Sequence, residues 1–195
     1  LACDAPESAY HSWSKTGGGS ENLKYSSLNQ IDTTNYAKLG VAWVYYSEKN
    51  DSTKFGPMEC NPIVVDGVMY GVSPKLKLFA VNAATGKELW TFNPADSVAN
   101  KTWHRSSVNM NRGVAYWANG NDKRVIYTVG PIVFCVNAVT GNLVKSFGQE
   151  GGINLVNGLD RNPDKLFVAP TSPVMVYKNL FFFSGLVGDE TPGHI

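Results

Sequence analysis

A fifteen-residue stretch that occurs twice constrains this chain more than any other feature of it. Leu78-Phe79-Ala80-Val81-Asn82-Ala83-Ala84-Thr85-Gly86-Lys87-Glu88-Leu89-Trp90-Thr91-Phe92 recurs as Val133-Phe134-Cys135-Val136-Asn137-Ala138-Val139-Thr140-Gly141-Asn142-Leu143-Val144-Lys145-Ser146-Phe147, an offset of 55 residues from Ala80 to Cys135. Each copy reads as a strand, a tight turn at Asn-Ala-x-Thr-Gly, and a second strand, with another hairpin ahead of it. Before the first copy that hairpin is Pro62–Val65 and Val68–Val72 around Asp66-Gly67, a two-residue turn of the type I′ kind. A third copy begins at Ser172-Pro173-Val174-Met175-Val176-Tyr177-Lys178-Asn179-Leu180-Phe181-Phe182-Phe183, echoing Asn61–Tyr70. The repeating unit is therefore a four-stranded antiparallel sheet, and such a unit buries its faces only by stacking on its neighbours.

Sheets of this kind at this spacing predict an all-β fold, a β-propeller with radial four-stranded blades. The Thr-Gly turn needs a positive φ at its glycine, and Trp90, four residues on, is placed to project onto the next blade. In the second copy Lys145 stands where Trp90 stood, so that contact is expected to weaken or pass to Phe147. A β-sandwich with two chance-similar hairpins is the competing fold. Two full repeats and the start of a third fall short of the roughly four to eight blades that close a ring. Together with the loop-like ending Glu190–Ile195, this reads as the N-terminal portion of a longer protein.

Composition narrows the function classes. Of 195 residues, 43% are hydrophobic, enough for a core, while charged residues make up 17%, below the usual share of about a quarter. Seventeen Lys and Arg against sixteen Asp and Glu leave a net charge of +1, which supplies no surplus for a phosphate backbone, and no nucleic-acid partner is expected. Nineteen glycines and ten prolines argue against long helices. Apolar runs such as Leu180–Phe183 fall far short of the roughly 18 residues of a spanning helix. Three cysteines, Cys3, Cys60 and Cys135, form no CxxC pair, so a thiolate zinc site is not expected. Cys60 and Cys135 lie in apolar strand-like segments and read as small buried hydrophobes. Leu1-Ala2-Cys3 is like the end of a bacterial lipobox, which makes Cys3 a candidate lipid anchor. Residues 1–22 are expected to form a flexible polar tail, and residues 23–195 the propeller portion.

Several segments together carry a family resemblance. They are the Asn-Ala-x-Thr-Gly repeats, Tyr25-Ser26-Ser27-Leu28-Asn29-Gln30-Ile31 followed by Leu39-Gly40-Val41-Ala42-Trp43, and Asn111-Arg112-Gly113-Val114-Ala115-Tyr116-Trp117. From about Trp13 to the last residue the chain resembles the pyrroloquinoline quinone (PQQ) dependent dehydrogenases, the membrane-type glucose dehydrogenases more than the methanol dehydrogenases. The resemblance implies an eight-bladed propeller, of which the first two to three blades are present here. It also implies PQQ and a calcium or magnesium ion as cofactors.

PQQ is a planar quinone with three carboxylates, so its pocket needs a permanent cation, and by resemblance Arg112 is that cation. Gly113 beside it would let the backbone approach closely. Glu59 occupies the family's position for a carboxylate at the cofactor's rim. Thr171, Ser172, Ser184 and Gly185 correspond to segments whose hydroxyls and backbone hydrogen-bond the quinone. Asp189 and Glu190 match the place of an acidic metal ligand, and oxygen donors suit calcium and magnesium. Solvated surface roles are the alternative for each of these residues.

Ser106-Ser107 replace the two adjacent cysteines of methanol-dehydrogenase relatives, so the disulfide lid of that branch is not expected. His104 and Arg105 lie near the cofactor mouth in this reading, while His11 and His194 have no companions at metal-ligand spacing. The family's catalytic aspartate would lie beyond Ile195, which leaves this chain inactive by itself. The implied activity is oxidation of an aldose, polyol or alcohol, with electrons passing to ubiquinone or a cytochrome, in the bacterial periplasm. Two other readings stay open: a non-catalytic PQQ-like scaffold that binds partner proteins, and an alcohol dehydrogenase with a haem domain downstream.

Overall fold

In the computed structural model, residues 12–48, 57–97, 110–160 and 167–187 are described. They form two four-stranded antiparallel sheets and the start of a third unit. The first sheet runs in chain order through β1 (Ile63–Val65), β2 (Val68–Val72), β3 (Leu78–Asn82) and β4 (Glu88–Phe92). The second repeats that order with β5 (Ala115–Asn119), β6 (Asp122–Val129), β7 (Ile132–Asn137) and β8 (Gly152–Asn154). Two further pairs follow, β9 (Val168–Ala169) with β12 (Leu186–Val187), and β10 (Met175–Tyr177) with β11 (Leu180–Phe182). The helices among the described residues are two single 3-10 turns, Tyr36–Lys38 and Pro94–Asp96. The expected hairpin is present, with Val65 paired to Val68 across Asp66-Gly67 and both turn residues at positive φ, 51° and 75°.

The repeated turn is built twice from the same bonds. Asn82 Oδ1 accepts from the backbone N–H of Ala84 and Thr85, each at 3.0 Å. Asn137 Oδ1 does the same for Val139 and Thr140, at 3.0 and 2.9 Å. Each turn closes on a glycine at positive φ, 68° for Gly86 and 74° for Gly141. The absent Cβ matters as much as the dihedral angle. At Gly141 it would stand 2.8 Å from the Trp90 ring, and at Gly86 2.6 Å from Trp43. The indole Nε1–H of Trp90 donates to Ala138 O at 3.1 Å, as that of Trp43 does to Ala83 O. Trp90 thus pegs the first sheet to the second, as its spacing predicts, and Trp43 pegs the preceding segment to the first.

Faces bury on faces. Ile63, Tyr70, Val72, Leu78 and Ala80 of the first sheet share one core with Val125, Tyr127, Val129, Ile132 and Phe134 of the second. Phe92 crosses the seam to both Tyr127 and Phe134, with centroids 6.4 and 5.7 Å away. The reverse face of the second sheet, with Ala115, Ile126, Val133 and Cys135, packs on Val174, Val176 and Phe181 of the third unit. Covered on both sides, β7 is buried from Ile132 to Val136, which explains an apolar run there instead of an in-out alternation.

The second copy departs from the first after its turn. Leu143 makes a lone bridge to Val136, the chain then turns through Lys145–Gly151, and β8 takes the fourth position. Gly148 and Gly151 supply the positive φ values, 57° and 92°, that allow this turn. Lys145 is exposed, and Phe147 reaches the third unit with its ring 5.8 Å from Phe181. The docking contact has passed to Phe147.

Residues ahead of the first sheet are held against it. Trp13 exchanges both backbone hydrogen bonds with Val64, at 3.0 and 2.8 Å, so this part of the expected tail is attached. Glu48 accepts from Ser73 Oγ at 2.6 Å and pairs with Lys77 Nζ at 2.9 Å. Burial raises the pKa of this carboxyl, yet the bonds from Ser73 and Lys77 outweigh it and hold it below the ordinary value. A lowered folded pKa gives stability that is complete above the unfolded value and lost as pH falls through the folded one. Glu48→Gln is expected to cost roughly 1.5 kcal/mol at neutral pH and to flatten the acid side of the stability curve, measured by urea unfolding between pH 7 and 3.

Candidate functional site

The residues leading into β1, into β5 and past β9 converge at one edge of the sheets. Asn61 and Gly113 form a parallel bridge, so equivalent positions of two successive repeats lie side by side and point the same way. This is the relation of neighbouring blades around an axis. Arg112 sits at the centre of the convergence. Its backbone N–H donates to Thr171 O at 3.1 Å, and its carbonyl accepts from Asn61 N at 3.0 Å and Asn61 Nδ2 at 3.1 Å. One residue therefore links three lead-in segments by hydrogen bonds.

The side chains expected to act together also meet. Arg112 Nε lies 3.5 Å from Glu59 Oε2, with the two side chains 50% and 34% exposed. In that setting the pair is worth little as a stabilising contact. Its value is to present a guanidinium held on one flank and open on the other. Thr171 is buried and gives its carbonyl to Arg112. Ser184 Oγ and Ser172 Oγ are 3.1 Å apart, brought together by the β9–β12 pair. Gly185 lies against Pro170, where a Cβ would come within 3.3 Å of backbone. Gly113 is equally crowded, since a Cβ there would lie 3.0 Å from Pro173 and from Thr16 Oγ1.

Asn61, Asn111 and Thr128 belong to this arrangement and were not expected from the sequence. Asn111 shows a signal in hindsight, because an asparagine two residues before a glycine is a side-chain-capped turn pattern. Thr128, whose hydroxyl donates to Pro170 O at 3.0 Å, carries none. A cleft of about 580 Å³ beside Asn61, lined by Trp13, Thr16, Asn22, Lys24 and Val64, includes none of the expected residues. Asp189, Glu190, His104, Arg105, Ser106, Ser107, Cys3, His11 and His194 lie outside the described residues.

Cys135 is buried as expected, while Cys60 is only partly buried. Burial pushes each up to about 11, against an opposing backbone bond from Val72 at Cys60 and the Arg124 charge at Cys135. Neither is expected to react with Ellman's reagent at pH 7 in the native state, and both are expected to react in 8 M urea, on the order of a hundredfold faster.

Stacked four-stranded blades with parallel lead-ins define a β-propeller, and the half-exposed arginine at their edge suits an anionic ligand. The sequence profile of the PQQ glucose/ethanol/alcohol dehydrogenase β-propeller domain matches residues 13–194. The chain belongs to that family. It is 36% identical over 135 residues to the dehydrogenase subunit of the quinone-linked alcohol dehydrogenase of Gluconobacter oxydans, covering 69% of this chain and 16% of that protein. It is 27% identical over 194 residues to the quinoprotein glucose dehydrogenase of Escherichia coli, covering 91% and 24%. Among solved structures, the quinohemoprotein alcohol dehydrogenase of Comamonas testosteroni superposes with a TM-score of 0.64 at 26% identity, over 86% of this chain and 22% of that one. The chain thus spans less than a quarter of the length of these relatives.

Proposed function

We propose that this chain is the N-terminal portion of the propeller of a PQQ-dependent dehydrogenase that oxidises an aldose, polyol or alcohol. Its electrons would pass to ubiquinone or a cytochrome, in the bacterial periplasm, with Cys3 as a lipid anchor. The observation that carries the reading is the Arg112–Glu59 contact at the meeting of three blade lead-ins. A non-catalytic scaffold has no need for a cation and a carboxylate there.

The donors fit the cofactor's chemistry. Arg112 has a planar fork suited to a carboxylate or quinone oxygen. Glu59 restrains that fork from one side. Ser172 and Ser184 offer hydroxyls and Gly185 a backbone without a side chain, so a flat ligand meets little bulk. Asp189 or Glu190 would hold the calcium or magnesium ion through oxygen. Bound PQQ would supply the two-electron acceptor that oxidation of a CH–OH group requires. The catalytic aspartate is proposed to lie beyond Ile195, and the 195-residue chain alone to be inactive.

The test is to reconstitute the full-length polypeptide with PQQ and calcium and follow dye reduction with glucose and with ethanol. Reduction that depends on PQQ and on one of the two substrates supports the proposal and assigns the substrate class. A protein that neither binds PQQ nor reduces dye would be a scaffold, and the proposal would fail.

A further inference from the structure

We infer that Asn111 and Asn61 are positioning residues for Arg112, which set the affinity for the anionic cofactor without touching it. This rests on the reading of Arg112 as the cofactor's cation. Asn111 is 4% exposed, and a buried amide left unbonded costs free energy, yet both its ends are bonded. Its Nδ2 donates to Thr128 O at 3.0 Å, and its Oδ1 accepts from Gly113 N at 2.9 Å. These bonds tie β6 to one side of Arg112 and bracket that residue from its two chain neighbours.

Asn61 works from the opposite side. It donates its backbone N–H and its side-chain Nδ2 to the same carbonyl, that of Arg112, at 3.0 and 3.1 Å. Thr128 closes the arrangement, since its hydroxyl binds Pro170 O, one residue before the Thr171 carbonyl that receives the Arg112 N–H. The Arg112 backbone is thereby fixed to two lead-ins that are distant in sequence, and its side-chain torsions remain free. A displacement of an ångström or so at its Cα would carry the guanidinium off a planar, bidentate partner. The two asparagines therefore act on binding through Arg112, and the Asn61 side chain bonds the Arg112 carbonyl in addition to the backbone N–H.

The experiment is a double-mutant cycle on PQQ affinity in the full-length polypeptide, read by quenching of tryptophan fluorescence. Asn111→Ala and Asn61→Ala are made in the wild-type and the Arg112→Ala backgrounds. Tyr70→Phe, which removes a buried hydroxyl bond to Ala138 O in the same core, serves as the stability control. The expected result is about a tenfold loss of affinity for Asn111→Ala, about threefold for Asn61→Ala, no change for Tyr70→Phe, and no further loss from either asparagine once Arg112 is alanine. Equal losses in both backgrounds would overturn the inference, because the asparagines would then act on the whole site. A loss for Arg112→Ala with none for the asparagines would overturn it and leave the cofactor reading intact. No loss for Arg112→Ala would overturn both. If Asn111→Ala fails to fold, Asn61→Ala alone decides, since that side chain is exposed.

Discussion

Arg112→Ala is expected to weaken PQQ binding to the full-length polypeptide by roughly a hundredfold, about 3 kcal/mol, a typical loss when one member of a ligand's charge pair is truncated. The magnitude follows from geometry. Arg112 is half exposed and its contact with Glu59 is at Nε, so the remaining guanidinium donors are those a carboxylate would engage. Arg112→Lys keeps the charge and loses the fork, so its affinity should fall between the two. Glu59→Gln should have a smaller effect, because it loosens the arginine without removing it. Equilibrium dialysis against PQQ reads all three, and wild-type affinity in Arg112→Ala would remove Arg112 from the site.

The largest loss of stability is expected at a turn. Gly141→Ala places a side chain on a residue with φ of 74°, a left-handed conformation that costs roughly 1–2 kcal/mol for any residue with a Cβ. It also drives that Cβ to 2.8 Å from the Trp90 ring, closer than two carbons can lie. The indole must lift, and its bond to Ala138 O is lost with it. A total of roughly 3 kcal/mol is expected, read as a lower urea midpoint. Gly120→Ala is the comparison, since Gly120 also has a positive φ, 59°, but open space where its Cβ would go. It should show the dihedral cost alone. Equal losses at both glycines would mean that the indole contact contributes nothing.

Much of the fold was legible because its determinants are local and repeated. Asn82 and Asn137 cap their turns by the same bonds, Gly86 and Gly141 take the same conformation, and such features leave a fixed motif in the sequence. What was not legible came from contacts distant along the chain. No pattern announced that Trp43 plays toward the first turn the part that Trp90 plays toward the second, because the segment carrying Trp43 is not a copy of the repeat. The replacement of a fourth strand after Thr140-Gly141 by Gly152–Asn154 depended on where the glycines of the 145–151 turn would bend. At the site, Arg112 and Glu59 stand in the sequence as residue types at family positions, and the structure brings their side chains into contact. Asn111 shows only the turn pattern of an asparagine two residues before a glycine, and Thr128 shows nothing, since its role is set by a bond to the Pro170 carbonyl, which leaves no trace in side-chain identity.

The two seams between units are unlike. The first is pinned by the Trp90 indole, seated on a glycine and bonded to a carbonyl, while the second has Lys145 at that place and is joined by the contact of Phe147 with Phe181 and by the Trp117 indole, which donates to Lys178 O at 2.9 Å. Loss of Trp90 would therefore remove the seated ring and its bond together, whereas loss of Phe147 would leave the second seam its indole bond.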